Sequence, residues 1–179
     1  MRKASVTAAV VLLVAASSPA AVVDVSPSGF LVRHELVVAA TPEKLYRALT
    51  AGIAGWWNPM HTRSGDAKNL SIEPRAGGCF CEKLPGGGAA EHMRVVFVSP
   101  PRVLRMVGAL GPLQESGLAA SMTWTLTAEG TGTKVELTYS VGGYFRGGFE
   151  KIAPAVDAVL GDQLSRLGKF AEAAGSVGK

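Results

Sequence analysis

Residues 121–141 read SMTWTLTAEGTGTKVELTYSV. Met122, Trp124 and Leu126 alternate with Ser121, Thr123, Thr125 and Thr127. Beyond the turn, Val135, Leu137, Tyr139 and Val141 alternate with Lys134, Glu136, Thr138 and Ser140. Period two on both sides of a glycine-containing turn (EGTGT) predicts a β-hairpin with one apolar face. The period then changes. Ile152, Val156, Val159 or Leu160, Leu164, Leu167 and Phe170 or Ala171 recur every three to four residues. That spacing predicts a long amphipathic helix from about Gly148 to Ala174. Pro154 must lie in its first turn or kink it. Gly161 falls mid-helix at a cost of ~1 kcal/mol against Ala, and a close approach to the sheet would explain it. A lone amphipathic helix buries its stripe against the sheet.

Working back from the hairpin, period two continues. Leu70 to Pro74, Gly78 to Leu84, Ala90 to Val98 and Val103 to Ala109 are expected as strands, with Pro85-Gly86-Gly87-Gly88 and Pro100-Pro101 as turns. Residues 110–118 (LGPLQESGL) form a loop and a candidate lid. Phe30 to Val38 alternates and predicts the first strand, with His34 on its apolar face. Thr41 as N-cap and Pro42 in the first turn start a helix carrying Leu45, Leu49 and Ile53. Trp56-Trp57-Asn58-Pro59 closes a second short helical turn. The expected fold is therefore α+β. A curved antiparallel sheet of about seven strands wraps a long C-terminal helix, with two short helices after the first strand. A sheet that curls around one helix leaves room for a cavity between them.

The N-terminus has a different character. Arg2 and Lys3 precede an uncharged apolar run, VTAAVVLLVAA, and then the small residues Ser17-Ser18-Pro19-Ala20-Ala21. This is the pattern of a secretory signal peptide cut after about Ala20, with an uncleaved membrane anchor as the alternative. The expected division is 1–20 signal peptide, 21–29 tether, 30–174 a single domain and 175–179 a flexible tail. The protein is then periplasmic or secreted, with no stable membrane span after cleavage. Removing 1–20 leaves 16 basic against 14 acidic residues. No basic block remains, so nucleic acid is not expected as a partner.

The element order and several motifs resemble the helix-grip superfamily of START-like lipid-transfer and polyketide cyclase proteins (SRPBCC). The branch most like it is the heat-shock-ATPase-activator-homologue-like one. Thr41-Pro42-Glu43-Lys44-Leu45-Tyr46 resembles the branch's entry into its first helix, and Trp56-Trp57 its short second helix. Glu73-Pro74-Arg75 with Gly77-Gly78 and Phe80 resembles its glycine-marked strand, and Gln163-Leu164-Ser165-Arg166-Leu167 its closing helix. The resemblance spans about residues 30–173 and implies a fold rather than an activity. An exported member departs from the co-chaperone role, and no protein partner can be named.

Cys79 and Cys81 are the two cysteines of the chain. They share a face of one strand. An oxidising compartment favours a disulfide, but i, i+2 positions on an extended strand lie ~6.5–7 Å apart, so a bridge needs a bulge. A turn centred on Gly86–Gly87 would set Cys81 opposite His92 and Cys79 opposite Arg94. Cys79, Cys81 and His92 then form a candidate zinc or copper site, or Arg94 activates a redox thiol. Two inert buried cysteines are the third alternative.

His34 is either a hydrogen-bonded core residue or a cavity acid/base. Glu82 and Glu91 are expected as cross-strand neighbours, either a solvated pair or an acid/base pair. Trp56, Trp57, Met106, Trp124, Tyr139, Leu160 and Leu164 are candidate lining residues, with Tyr144 and Phe145 near the entry. The leading expectation is a small hydrophobic ligand (lipid, polyketide-like or aromatic) bound between sheet and helix, with no cofactor. The alternatives are a cyclase- or hydrolase-type enzyme using His34 or Glu82, and a metal or redox protein using Cys79, Cys81 and His92.

Overall fold

The period-two segments become strands and the period-3.6 segments become helices, with one addition at the N-terminus. The computed structural model describes residues 22–176, side chains of 174–176 excepted. The expected signal peptide, 1–20, and the end of the tail, 177–179, lie outside the described residues. In chain order the elements are β1 (Val22–Ser26), β2 (Gly29–Val38), α1 (Pro42–Thr50), α2 (Ile53–Trp56), β3 (Leu70–Ile72), β4 (Cys79–Lys83), β5 (Ala89–Ser99), β6 (Val103–Val107), β7 (Ala119–Glu129), β8 (Gly132–Gly142) and α3 (Phe149–Ser176). Eight antiparallel strands form one open sheet in the order β1-β2-β8-β7-β6-β5-β4-β3.

Residues 22–26, expected within a tether, are instead the edge strand β1. It pairs with β2 through Val25 opposite Phe30 and Ser26 opposite Gly29. Its side chains are largely exposed, so no apolar alternation announces it. Pairing with β2 and packing against α3 hold it in the sheet, which therefore has eight strands rather than about seven. At the other end α3 runs to Ser176, past the expected boundary at 174.

The hairpin of β7 and β8 keeps one register throughout, with Met122 opposite Tyr139 and Trp124 opposite Leu137. All four side chains are fully buried. Thr41 caps α1 by accepting from the Lys44 N–H at 3.4 Å, and α1 buries Leu45, Tyr46 and Leu49. Trp56 closes the space between α2 and the sheet. Its Nε1 donates to Ala48 O at 2.9 Å, and its ring meets Trp124 edge-on at 6.1 Å.

Helix α3 lies against β1 and β2 as well as α1 and α2. Two glycines let it approach. A Cβ at Gly161 would stand 3.1 Å from the His34 ring, and one at Gly168 would stand 2.7 Å from Leu36 Cδ2. The mid-helix Gly161 thus marks the helix–sheet contact that its position suggested. Asn58 fastens the other side. Its N–H donates to Gln163 Oε1 at 3.0 Å, and its Nδ2 donates to Asp162 Oδ2 at 2.8 Å.

Candidate functional site

Between α3, the far half of the sheet and the 110–118 segment lies a cavity of about 460 Å³. That is within the roughly 300–1,000 Å³ of small-molecule sites. Ile152, Val156, Val159 and Leu160 of α3 form one wall. Trp57 and Phe80 pack edge to face at 5.3 Å and form the floor. Leu110, Pro112 and Leu113 close the third side. The segment 110–118 is therefore a wall rather than an open loop. It contains a 3₁₀ helix (Gly111–Ser116) and is pinned at its start, where the Leu110 N–H donates to Tyr139 Oη at 2.9 Å. Burial pushes the Tyr139 hydroxyl up to about 12, so it stays neutral.

The polar part of the lining is His61, Thr62, Arg63, His92 and Glu115. Arg63 stitches the mouth by donating to Gln114 Oε1 at 3.2 Å, and Gln114 Nε2 donates to Glu91 O at 2.7 Å. His92 alone of these is buried. It reaches the cavity because of a register shift between β4 and β5. Glu82 faces Ala90 and Cys81 faces Glu91, but Phe80 faces Met93 and Cys79 faces Arg94. One extra residue, His92, is inserted in β5. The bulge turns both His92 and Met93 into the interior, where strict alternation would have sent one outward.

Glu82, beside it on β4, is 1% exposed. Its Oε2 receives the Arg63 N–H at 2.9 Å and His92 Nε2 at 2.8 Å, and its Oε1 receives the Ser64 N–H. Burial by itself raises the Glu82 pKa. The hydrogen bonds from Ser64, Arg63 and His92 outweigh it and bring the carboxyl down to about 2. Glu82 is therefore a fixed anion with its oxygens occupied. It orients His92 and cannot itself supply a proton near neutral pH. The expected Glu82–Glu91 pair does not form, because the two carboxylates are on opposite faces. Glu91 is outside, bound to Arg94 at 2.6 Å.

The expected metal triad does not assemble either. Cys79 and Cys81 form a disulfide on the outer face, with Cα atoms 5.4 Å apart. That separation is shorter than the span of two residues on an extended strand, and the pairing with β5 shifts register between Phe80 and Cys81. His92 is on the inner face, and the carboxylate beside the two sulfurs is that of Glu91, its oxygen within 4.8 Å of them. His34 does not line the cavity. It is buried between β2 and α3, with Nε2 hydrogen-bonded to Asp157 O at 3.1 Å. Asp157 Oδ1 lies 2.8 Å from the same nitrogen but makes no hydrogen bond, being out of line for one.

Of the expected lining residues, Trp57 and Leu160 border the cavity. Trp56, Met106, Trp124, Tyr139 and Leu164 are in the solid core instead. They occupy the inner face where α1, α2 and the base of α3 already fill the space. The sequence reading passed over Ile152, Val156 and Val159 as lining residues. Their half-burial on an otherwise buried helical stripe is the only local sign of an adjoining void. The arrangement suits an apolar molecule carrying one polar group, held against His92.

An open antiparallel sheet folded about one long helix, with an apolar cavity between them, defines the helix-grip fold. The family model for "polyketide cyclase / dehydrase and lipid transport" matches residues 30–172, and the chain belongs to that family. Among solved structures, a Mesorhizobium loti protein is 23% identical with a TM-score of 0.57, over 78% of this chain and 95% of that one. The Aha1 dimer from Colwellia psychrerythraea is 21% identical with a TM-score of 0.57, over 79% and 96%. A Nitrosomonas europaea protein is 13% identical with a TM-score of 0.59, over 82% and 96%. These likenesses establish the fold alone. No curated protein matches the chain.

Proposed function

We propose that the protein is an exported carrier of a small hydrophobic ligand, a lipid, polyketide-like or aromatic molecule with one polar substituent. The observation that carries this reading is the 460 Å³ cavity, with apolar walls from α3 and the 110–118 segment and a single buried polar side chain, His92. Apolar area removed from water supplies affinity at roughly 25 cal/mol per Å² before ordering costs. The polar group fixes orientation. Export is inferred from the charged, apolar and small-residue order of residues 1–21. The disulfide fits an oxidising compartment. No helix among the described residues is long and apolar enough to cross a membrane.

Native and denaturing mass spectrometry of protein purified from the exported fraction tests this. The reading expects a denatured mass starting after about Ala20 and a native mass larger by one organic molecule. A full-length denatured mass argues against export by cleavage. A native protein that retains nothing, and then binds no apolar fluorophore, removes the carrier reading.

A further inference from the structure

The geometry points to a catalytic role for His92: a general base that takes a proton from a carbon acid bound in the cavity, with Glu82 as its positioning residue. This rests on the cavity reading above and goes beyond it. Three groups point at Glu82, namely Arg63 N–H, Ser64 N–H and His92 Nε2. An ionised carboxylate only accepts, so each of the three must donate. The hydrogen of the neutral ring is therefore on Nε2, and the lone pair is on Nδ1. Among the described residues no hydrogen bond is made to Nδ1, and His92 lines the cavity.

Burying a carboxylate is costly unless it is fully hydrogen-bonded, and an apolar side chain of similar size would serve packing as well or better. Glu82 sits where it does two visible things: it accepts the Arg63 and Ser64 N–H groups, and it holds a histidine by one nitrogen beside a void. A base fixed by a carboxylate is the logic of the Ser-His-Asp triad. Arg63 lines the same cavity with its guanidinium at the mouth, donating to Gln114 Oε1 at 3.2 Å and 3.8 Å from Glu115 Oε1. The matching substrate class is an apolar carbonyl compound with an acidic C–H. The C–H bond breaks, its proton passes to Nδ1, and its electron pair moves into an enolate. The imidazolium then returns the proton to a second carbon of the enolate, giving an isomer of the substrate and the free base, so no oxidant or co-reactant is consumed.

The test uses 5-nitrobenzisoxazole, an apolar carbon acid. Loss of its ring C–H proton drives cleavage of the N–O bond and releases a coloured cyanonitrophenolate. Binding is read separately by quenching of tryptophan fluorescence. The expected result is turnover with saturation. His92→Ala should lower kcat by about 10²-fold or more with binding retained, and added imidazole should restore part of the loss. Glu82→Gln should lower kcat with KM unchanged, a split that loss of packing would not produce. His34→Gln, outside the lining, should keep turnover. If His92→Ala does not fold, His92→Gln replaces it, judged by the same readouts. Probe that binds without turning over, or a His92 variant as active as the parent, overturns the catalytic role and leaves the carrier standing. Probe that does not bind overturns the carrier and the catalytic role together.

Discussion

A Cβ at position 161 of α3 would stand 3.1 Å from Cε1 of His34 on β2. The ring cannot easily move aside. It is buried and tied to Asp157 O, one turn earlier on the same helix. Gly161→Ala therefore sets a gain in helix propensity of ~1 kcal/mol against displacement of a buried ring, which costs ~1–3 kcal/mol. We expect net destabilisation, read as a lower midpoint in urea. Gly168→Ala meets the end of the flexible, half-buried Leu36 side chain and should be neutral or stabilising. Equal effects at the two positions would contradict this account.

The α3 wall of the cavity has no other covering, so it can be filled from the inside. Val156→Trp should abolish binding of N-phenyl-1-naphthylamine while the urea midpoint stays close to that of the parent. Trp124→Ala should do the reverse. That side chain is 1% exposed in the core and away from the lining. Its loss should cost ~3–5 kcal/mol without a specific effect on the cavity. The two variants separate site from core by comparing affinity with stability.

Glu82 sets the acid limb of stability. Its carboxyl is held at about 2 in the folded protein, against an ordinary value of 4.5. A depressed carboxyl pKa contributes stability that is complete above the ordinary value and disappears as pH falls toward the folded one. Between pH 4.5 and 2 the parent should therefore lose more stability than Glu82→Gln does. At pH 7 the variant should be the weaker by ~1–3 kcal/mol, because buried N–H groups lose an anionic acceptor. Urea melts at a series of pH values measure both effects. Parallel curves for the two proteins would refute the assignment.

Tyr139 bears on the cavity from a distance. Its hydroxyl accepts the Leu110 N–H and anchors the wall segment. Tyr139→Phe leaves that N–H without its acceptor at ~1–3 kcal/mol. It should also weaken naphthylamine binding, although Tyr139 does not line the cavity. Unchanged affinity would mean that the segment is held by Leu113 and its neighbours alone.

The disulfide closes a very short loop, Cys79 to Cys81. Chain-entropy reasoning allows it only about 1.5 kcal/mol. Cys79→Ser with Cys81→Ser should lower stability by no more than that and leave the naphthylamine site intact, since the sulfurs are on the outer face. The intact protein should weigh two hydrogens less than its reduced form. A large loss of affinity in the double variant would mean that the bulge at His92 depends on the bridge.

Local pattern was enough for the elements and for the class of fold. The alternation in 121–141 and the three-to-four spacing from Ile152 onward reflect which side chains leave water, and that is a property of nearest neighbours along the chain. Gly161 was legible for the same reason, because a glycine inside a strong helical stripe implies something close by. β1 was not, since most of its side chains are exposed and show no apolar alternation.

The site belonged to the tertiary structure. From the sequence, Cys81 faced His92 and Glu82 neighboured Glu91, as a solvated or an acid/base pair. One inserted residue in β5 moved His92 to the other face and gave it Glu82 as a partner, because a strand's side chains change sides with every single-residue shift. Such a shift depends on what packs above and below the sheet, here Trp57, Phe80 and α3, all distant in sequence from residue 92. The sequence by itself determined a curved antiparallel sheet closed by one long helix. Only the folded chain decided where the two fail to touch, because a void is defined by every wall around it and by no single segment.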